Sequence, residues 1–171
     1  AASSGKWYAE FKKITGSTMI GIGSGISDSF LGGTGSAYGY AMYPTGEVFT
    51  SGSGNAYGNA LSNNDIIGVA MDLDNSKCYW SKNGVWQNSG DPTSGATGTG
   101  SAFDITDGYD YCIATSSNDA GTDQITDVNF GNGYFNVTAV SSARTNASGN
   151  GIFEYDVPTG YTALSTKGLN L

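Results

Sequence analysis

The chain of 171 residues has no histidine, two cysteines and, among its seven basic residues, a single arginine, Arg144. Without histidine there is no Ser-His-Asp triad, no His-ligated metal and no ordinary general base near neutral pH. Two cysteines cannot make a four-cysteine zinc site or a disulfide framework. Cys78 and Cys112 each sit in a strand-like run, and the reading that fits free cysteine best is two small buried apolar residues; one bridge between neighbouring strands is the alternative. Charged residues make up only 13% of the chain and the net charge is −8, which disfavours nucleic acid and anionic membrane surfaces, both of which need clustered Lys and Arg. No run approaches the roughly 20 apolar residues of a membrane span. The start, AASSGKWY, has neither an initiator Met nor an apolar signal region, and reads as a trimmed piece of a longer protein.

What remains is rich in glycine (27 residues), with abundant Ser, Thr, Asn and Tyr, and is 38% hydrophobic and 12% aromatic, enough to build a core. The length suits one domain, 1–171. Its hydrophobic period is two. In GKWYAEFKKI, Trp7, Ala9 and Phe11 share one face and Tyr8, Glu10 and Lys12 the other. In DIIGVAMDLD, Ile67, Val69, Met71 and Leu73 oppose Gly68, Ala70 and Asp72. Such alternation marks half-buried strands. Further strands are predicted at 19–22, 47–50, 109–115, 125–130, 152–157 and 161–164, with polar loops at 24–37, 51–64, 88–100, 116–123 and 141–151. The one candidate helix, 137–144, is weak because of its Val and Ser content. Trp7 and Trp80 are assigned to the core.

The densest stretch, MDLDNSKCYWSKNGVW, admits two readings: a calcium loop opening on Asp72, Asp74 and Asn75, or a tight meander. Asn83-Gly84 is a strong hairpin signal, because a type I′ turn needs positive φ at both central positions. Asp74-Asn75-Ser76 serves similarly one strand earlier. A calcium loop would also need a central Gly and a closing Glu, and no Glu follows before Glu154. The meander reading, strands at about 66–73, 77–82 and 85–87, is preferred, and no metal or other cofactor is expected. Glycoside hydrolysis needs two carboxyl groups facing each other. The three glutamates, Glu10, Glu47 and Glu154, fall in three separate runs, so a non-enzyme is expected.

GKWYAEFKK, IGIGSG, AYGY, NNDIIGVAMDLDNSKCYWSKNGVW, VNFG and PTGYTALS follow one another in the order of a SPRY (B30.2-like) domain, and from about Gly5 to Ser165 the chain resembles that family. The resemblance implies an all-β, concanavalin-like sandwich of two antiparallel sheets. The ending GYTALSTKGLNL is similar to the versions found in bacteriophage virion and tail proteins, and implies a virion location. The loops at 89–100 and 137–151 are longer than the family pattern. The function expected is non-catalytic recognition: a tail-fibre or related module that binds a host surface glycan or protein through loops. Ser, Gly and Asn loops studded with Tyr give broad amphipathic contacts at low entropic cost. The candidate ligand-binding residues are Asp28, Phe30, Tyr43, Tyr57, Asn59, Trp86, Asn88, Asn118 and Asp123. The alternatives are a structural capsid or fibre part that binds other virion proteins, as an oligomer in the parent assembly, and an intracellular peptide-gripping adaptor.

Overall fold

The computed structural model describes residues 1–25, 30–35, 38–117, 119, 123–145 and 149–165. Its strands are β1 (Lys6–Thr15), β2 (Thr18–Gly23), β3 (Gly39–Met42), β4 (Glu47–Thr50), β5 (Ser53–Ala56), β6 (Ile66–Asp72), β7 (Lys77–Lys82), β8 (Val85–Trp86), β9 (Phe103–Asp104), β10 (Cys112–Ser117), β11 (Ile125–Asn129), β12 (Tyr134–Phe135), β13 (Thr138–Ala139) and β14 (Thr162–Ala163). They form a β-sandwich. One sheet runs β11-β1-β6-β7-β8, with β9 beside β7 and β14 alongside the start of β1; the other runs β10-β2-β3-β4-β5. All pairings are antiparallel apart from β1 with β14.

The period of two explains the core. Trp7, Ala9 and Phe11 of β1 meet Ile67, Val69 and Met71 of β6 and Cys78 and Trp80 of β7 on one inner face. Ile20, Ile22, Tyr40, Met42, Val48 and Ile113 supply the other. Trp80 crosses between the sheets, and its indole N–H donates to the Ile20 carbonyl at 2.9 Å, so the largest buried ring keeps its polar atom satisfied.

The meander is present as a continuous pairing of β6, β7 and β8. Asn83 and Gly84 have φ of +50° and +79°, as a type I′ turn demands, and a Cβ on Gly84 would come within 2.5 Å of the Tyr155 ring. In the preceding turn, Asp72 accepts the Asn75 backbone and side-chain N–H groups at 3.0 and 2.9 Å and pairs with Lys6 at 2.9 Å. Asp74 accepts the Gly5 N–H at 2.7 Å. These carboxylates fasten the chain start to the β6–β7 turn. Among the described residues no group of three His, Cys, Asp or Glu is placed to hold a metal ion.

Four sequence expectations are corrected. Stretch 137–144 is not a helix: Thr138 and Ala139 pair with Phe135 and Tyr134, since a Val-, Thr- and Ser-bearing run gains more from a ladder. The run 152–157 forms isolated bridges at Ile152 and Phe153 and otherwise lies across the outer face of the larger sheet. That face is not half-exposed. Tyr8, Ala70 and Tyr79 are buried there under Phe153, Tyr161 and Ala163. Gly68 makes room for this layer, because a Cβ would sit 2.6 Å from the Tyr8 hydroxyl. Finally, Cys112 is exposed on the five-stranded sheet and not buried, because it lies on an outward position of the edge strand β10; both cysteines are free and Cys78 is buried, as expected.

Candidate functional site

The outer face of the five-stranded sheet is built from small residues. With Ile20, Ile22, Tyr40 and Met42 turned inward, the alternate positions turn outward: Met19, Gly21 and Gly23 on β2, Gly39 and Ala41 on β3, and Cys112, Ala114 and Ser116 on β10. Leu31 is buried on this floor with Met19 and Ala41, and its N–H donates to the Ser116 hydroxyl at 2.9 Å. Two clefts open near this floor, one of them lined by Leu31 itself.

One cleft, of about 360 Å³, is lined by Gly23, Gly25, Leu31, Cys112, Ala114, Thr115 and Ser116. The other, of about 240 Å³, is lined by Phe30, Gly33, Thr34, Tyr43, Phe49 and Gly52. Tyr43 and Phe49 stack there with ring centroids 4.0 Å apart and planes 20° from parallel. Phe49 in turn lies over Gly54, where a Cβ would come within 2.4 Å of the ring. Burial pushes the Tyr43 phenol pKa up, so it stays a neutral hydroxyl. Among the described residues, neither cleft has a charged side chain in its lining. Aromatic faces, small backbone-exposing residues and Ser and Thr hydroxyls suit a neutral ligand with both apolar and hydroxyl surface.

The structure brings Phe30 (42% exposed) and Tyr43 (7% exposed) together in the smaller cleft. Four other candidates gather elsewhere, around the buried Gln87. Tyr57 is buried edge-on against Trp80, with centroids 6.2 Å apart, and its hydroxyl donates to the Gly100 carbonyl. Asn59 donates its backbone and side-chain N–H groups to Gln87 Oε1 at 2.9 and 3.3 Å. Trp86 is half-buried and meets Tyr8 edge-on, and Asn88 is exposed with φ +53°. Their contacts hold the 88–100 loop against the sandwich. Asp123 is exposed, and its carbonyl packs on Gly16. Asp28 and Asn118 lie outside the described residues. Sequence reasoning passed over Leu31, Thr34, Phe49 and Ser116. The available signal was the small outward alternation Gly21, Gly23, Gly39 and Ala41, which marks a low floor.

Among the described residues the carboxylates do not assemble into a comparable site. Glu10 is fully buried, and its oxygens accept the Tyr8 hydroxyl at 3.1 Å and the Glu154 and Tyr155 backbone N–H groups at 2.8 and 2.9 Å. Burial raises its pKa, and those three donors partly offset the rise. Glu154 is in turn bonded to Ser141. Glu10 therefore anchors the covering segment. A scan against models of known protein families finds no match for this chain, and a search of curated proteins finds no significant similarity.

Proposed function

We propose that this chain is a non-catalytic recognition module, a SPRY-like domain of a phage virion appendage, whose five-stranded sheet binds a neutral host-surface glycan or protein. The observation that carries the reading is the pair of clefts near Leu31, uncharged among the described residues, with Phe30, Thr34, Tyr43 and Phe49 in one and Ser116 in the other. A pyranose ring offers C–H groups to an aromatic face and hydroxyls to Ser and Thr, which is the chemistry these walls provide. A net charge of −8 disfavours an anionic target. The commitment of the Glu10 carboxylate to three donors favours binding over hydrolysis.

A cleft this small gives weak monovalent binding, in the range of roughly micromolar to millimolar Kd, and repeated copies supply avidity. The test is adhesion of a multimerised protein to host cells and to neutral glycans, with Phe30→Ala and Thr34→Ala set against the unaltered chain. Loss of adhesion with an unchanged Tm supports the site, and full adhesion by both variants refutes it.

A second reading, a structural virion part, is favoured by one observation. Phe130, Tyr134, Val137 and Ile152 are all exposed, Val137 at 85%, and Phe130 and Ile152 border a cavity of about 510 Å³. Tight docking of purified capsid or tail proteins on that side, without glycan binding, selects this reading.

A further inference from the structure

We propose that Tyr38 and Tyr109 form an oxidative cross-linking site, at which a peroxide-driven one-electron oxidant joins the two rings into a dityrosine. The two rings stack with centroids 3.9 Å apart and planes 29° from parallel, and their hydroxyl oxygens are 2.6 Å apart. With the hydroxyl oxygens adjacent and the rings stacked, the carbons ortho to each hydroxyl are brought close to one another. Those carbons carry much of the unpaired spin of a phenoxyl radical.

Both backbones are held. The Tyr38 carbonyl accepts the Ser24 N–H at 3.1 Å as the chain enters β3. The segment bearing Tyr109 is tied down by Ile105 N–H to the Ser76 carbonyl, by the Tyr40 and Thr106 hydroxyls, and by the Tyr111 hydroxyl donating to the Thr106 carbonyl. Tyr109 is 37% exposed, so an oxidant in solution reaches its ring.

Other stacked or neighbouring rings do not meet these conditions. Tyr43 stacks on Phe49, which has no phenol to oxidise. Tyr40 and Tyr111 lie 6.3 Å apart at 48°, and both are buried.

The chemistry balances. Each phenol gives up one electron and one proton, and the two electrons and two protons reduce one hydrogen peroxide to two waters. The two radicals share their unpaired electrons in one carbon–carbon bond. Each ortho hydrogen then shifts to its oxygen and restores the phenol, so the protein loses two hydrogen atoms in all. The new bond closes a loop between positions 71 apart, linking the entry to β3 with the approach to β10. The oxidised chain is thereby restricted when unfolded, as with a disulfide across the same span.

This proposal rests on residues separate from the clefts and stands or falls independently of them. The test treats the dilute protein with a haem peroxidase and hydrogen peroxide. The expected product is a monomer lighter by two hydrogens, with dityrosine fluorescence and with tryptic peptides 14–77 and 83–144 joined through Tyr38 and Tyr109. Its Tm should rise by roughly 5–10 °C. Tyr38→Phe and Tyr109→Phe keep the stacked ring and should each abolish the product. The proposal is overturned if the cross-link survives in either variant, maps to other tyrosines, forms only between molecules, or is absent after peroxidase treatment that oxidises tyrosine elsewhere.

Discussion

The two sheets share one core but differ on their outer faces. The larger sheet is covered: Phe153, Tyr161 and Ala163 lie on Tyr8, Ala70 and Tyr79, and Glu10 and Asn129 bind the backbone of the covering segment. Among the described residues, the five-stranded sheet carries the short stretch around Leu31 over a low floor of Gly, Ala and Ser. Buried polar anchors and large rings mark the face that stabilises the fold. Small residues and a half-exposed aromatic wall mark the other face.

The largest difference between the faces should appear on ring deletion. Phe153 is fully buried and meets Tyr8 edge-on at 5.0 Å. Phe153→Ala should cost about 3–5 kcal/mol in urea unfolding. The matching change on the open face, Phe49→Ala, removes a half-buried ring and should cost roughly 1–2 kcal/mol, because less area returns to water. Equal losses would erase the distinction drawn between the two faces.

Glu10 tests the anchor beneath the covered face. Glu10→Ala strands two backbone N–H groups and should cost about 1–3 kcal/mol. Its pKa is raised in the folded state, chiefly by desolvation, so its proton is held more tightly folded than unfolded. That contribution is fully present below the unfolded carboxylate pKa and is lost as pH rises through the higher folded value. In paired pH titrations of stability, the unaltered protein should lose ground to Glu10→Gln across that window. Parallel curves would show that Glu10 does not titrate there.

The Asn83-Gly84 turn comes next. Gly84→Ala places a Cβ at positive φ and against Tyr155, and should cost about 1–2 kcal/mol in thermal unfolding. A neutral result would mean that the covering segment moves aside at no cost.

Much of the covered sheet was legible in the sequence. β1, β6 and β7 alternate large apolar residues with others, and Asn-Gly fixed their last turn. The open sheet was harder to read. β3 and β5, GYAM and SGNA, hold too few β-branched residues to register as strands, and pairing with β2 and β4 makes them so. The covering segment misled for a related reason: a chain laid flat on a sheet also buries alternate residues, as Phe153 and Tyr155 do in part. Of the described residues that line the two clefts, the sequence reading named Phe30 and Tyr43. A search for Tyr and Asn in polar loops cannot tell a ring that lines a cleft from one, such as Tyr57, that plugs the core.

The smallest expected effects on stability come from the cysteines and from calcium. Cys78 is fully buried in the shared core, where burial pushes its thiol pKa up and keeps it unreactive. Cys112 is exposed on the floor of the open face, its thiol 3.3 Å from the Gly23 carbonyl. An alkylating reagent should therefore label Cys112 in the native protein and Cys78 only after unfolding, as read by intact mass and peptide mapping. With no bridge to break, reductant should leave the Tm within about 1–2 °C, and so should calcium or a chelator, since a ligand that binds only the folded state must shift it. A larger rise with calcium would mean that Asp72 and Asp74 bind an ion as well as the turn. Native labelling of Cys78 at the rate of Cys112 would mean that the core opens as readily as the open face, and the contrast between the two sheets would fail.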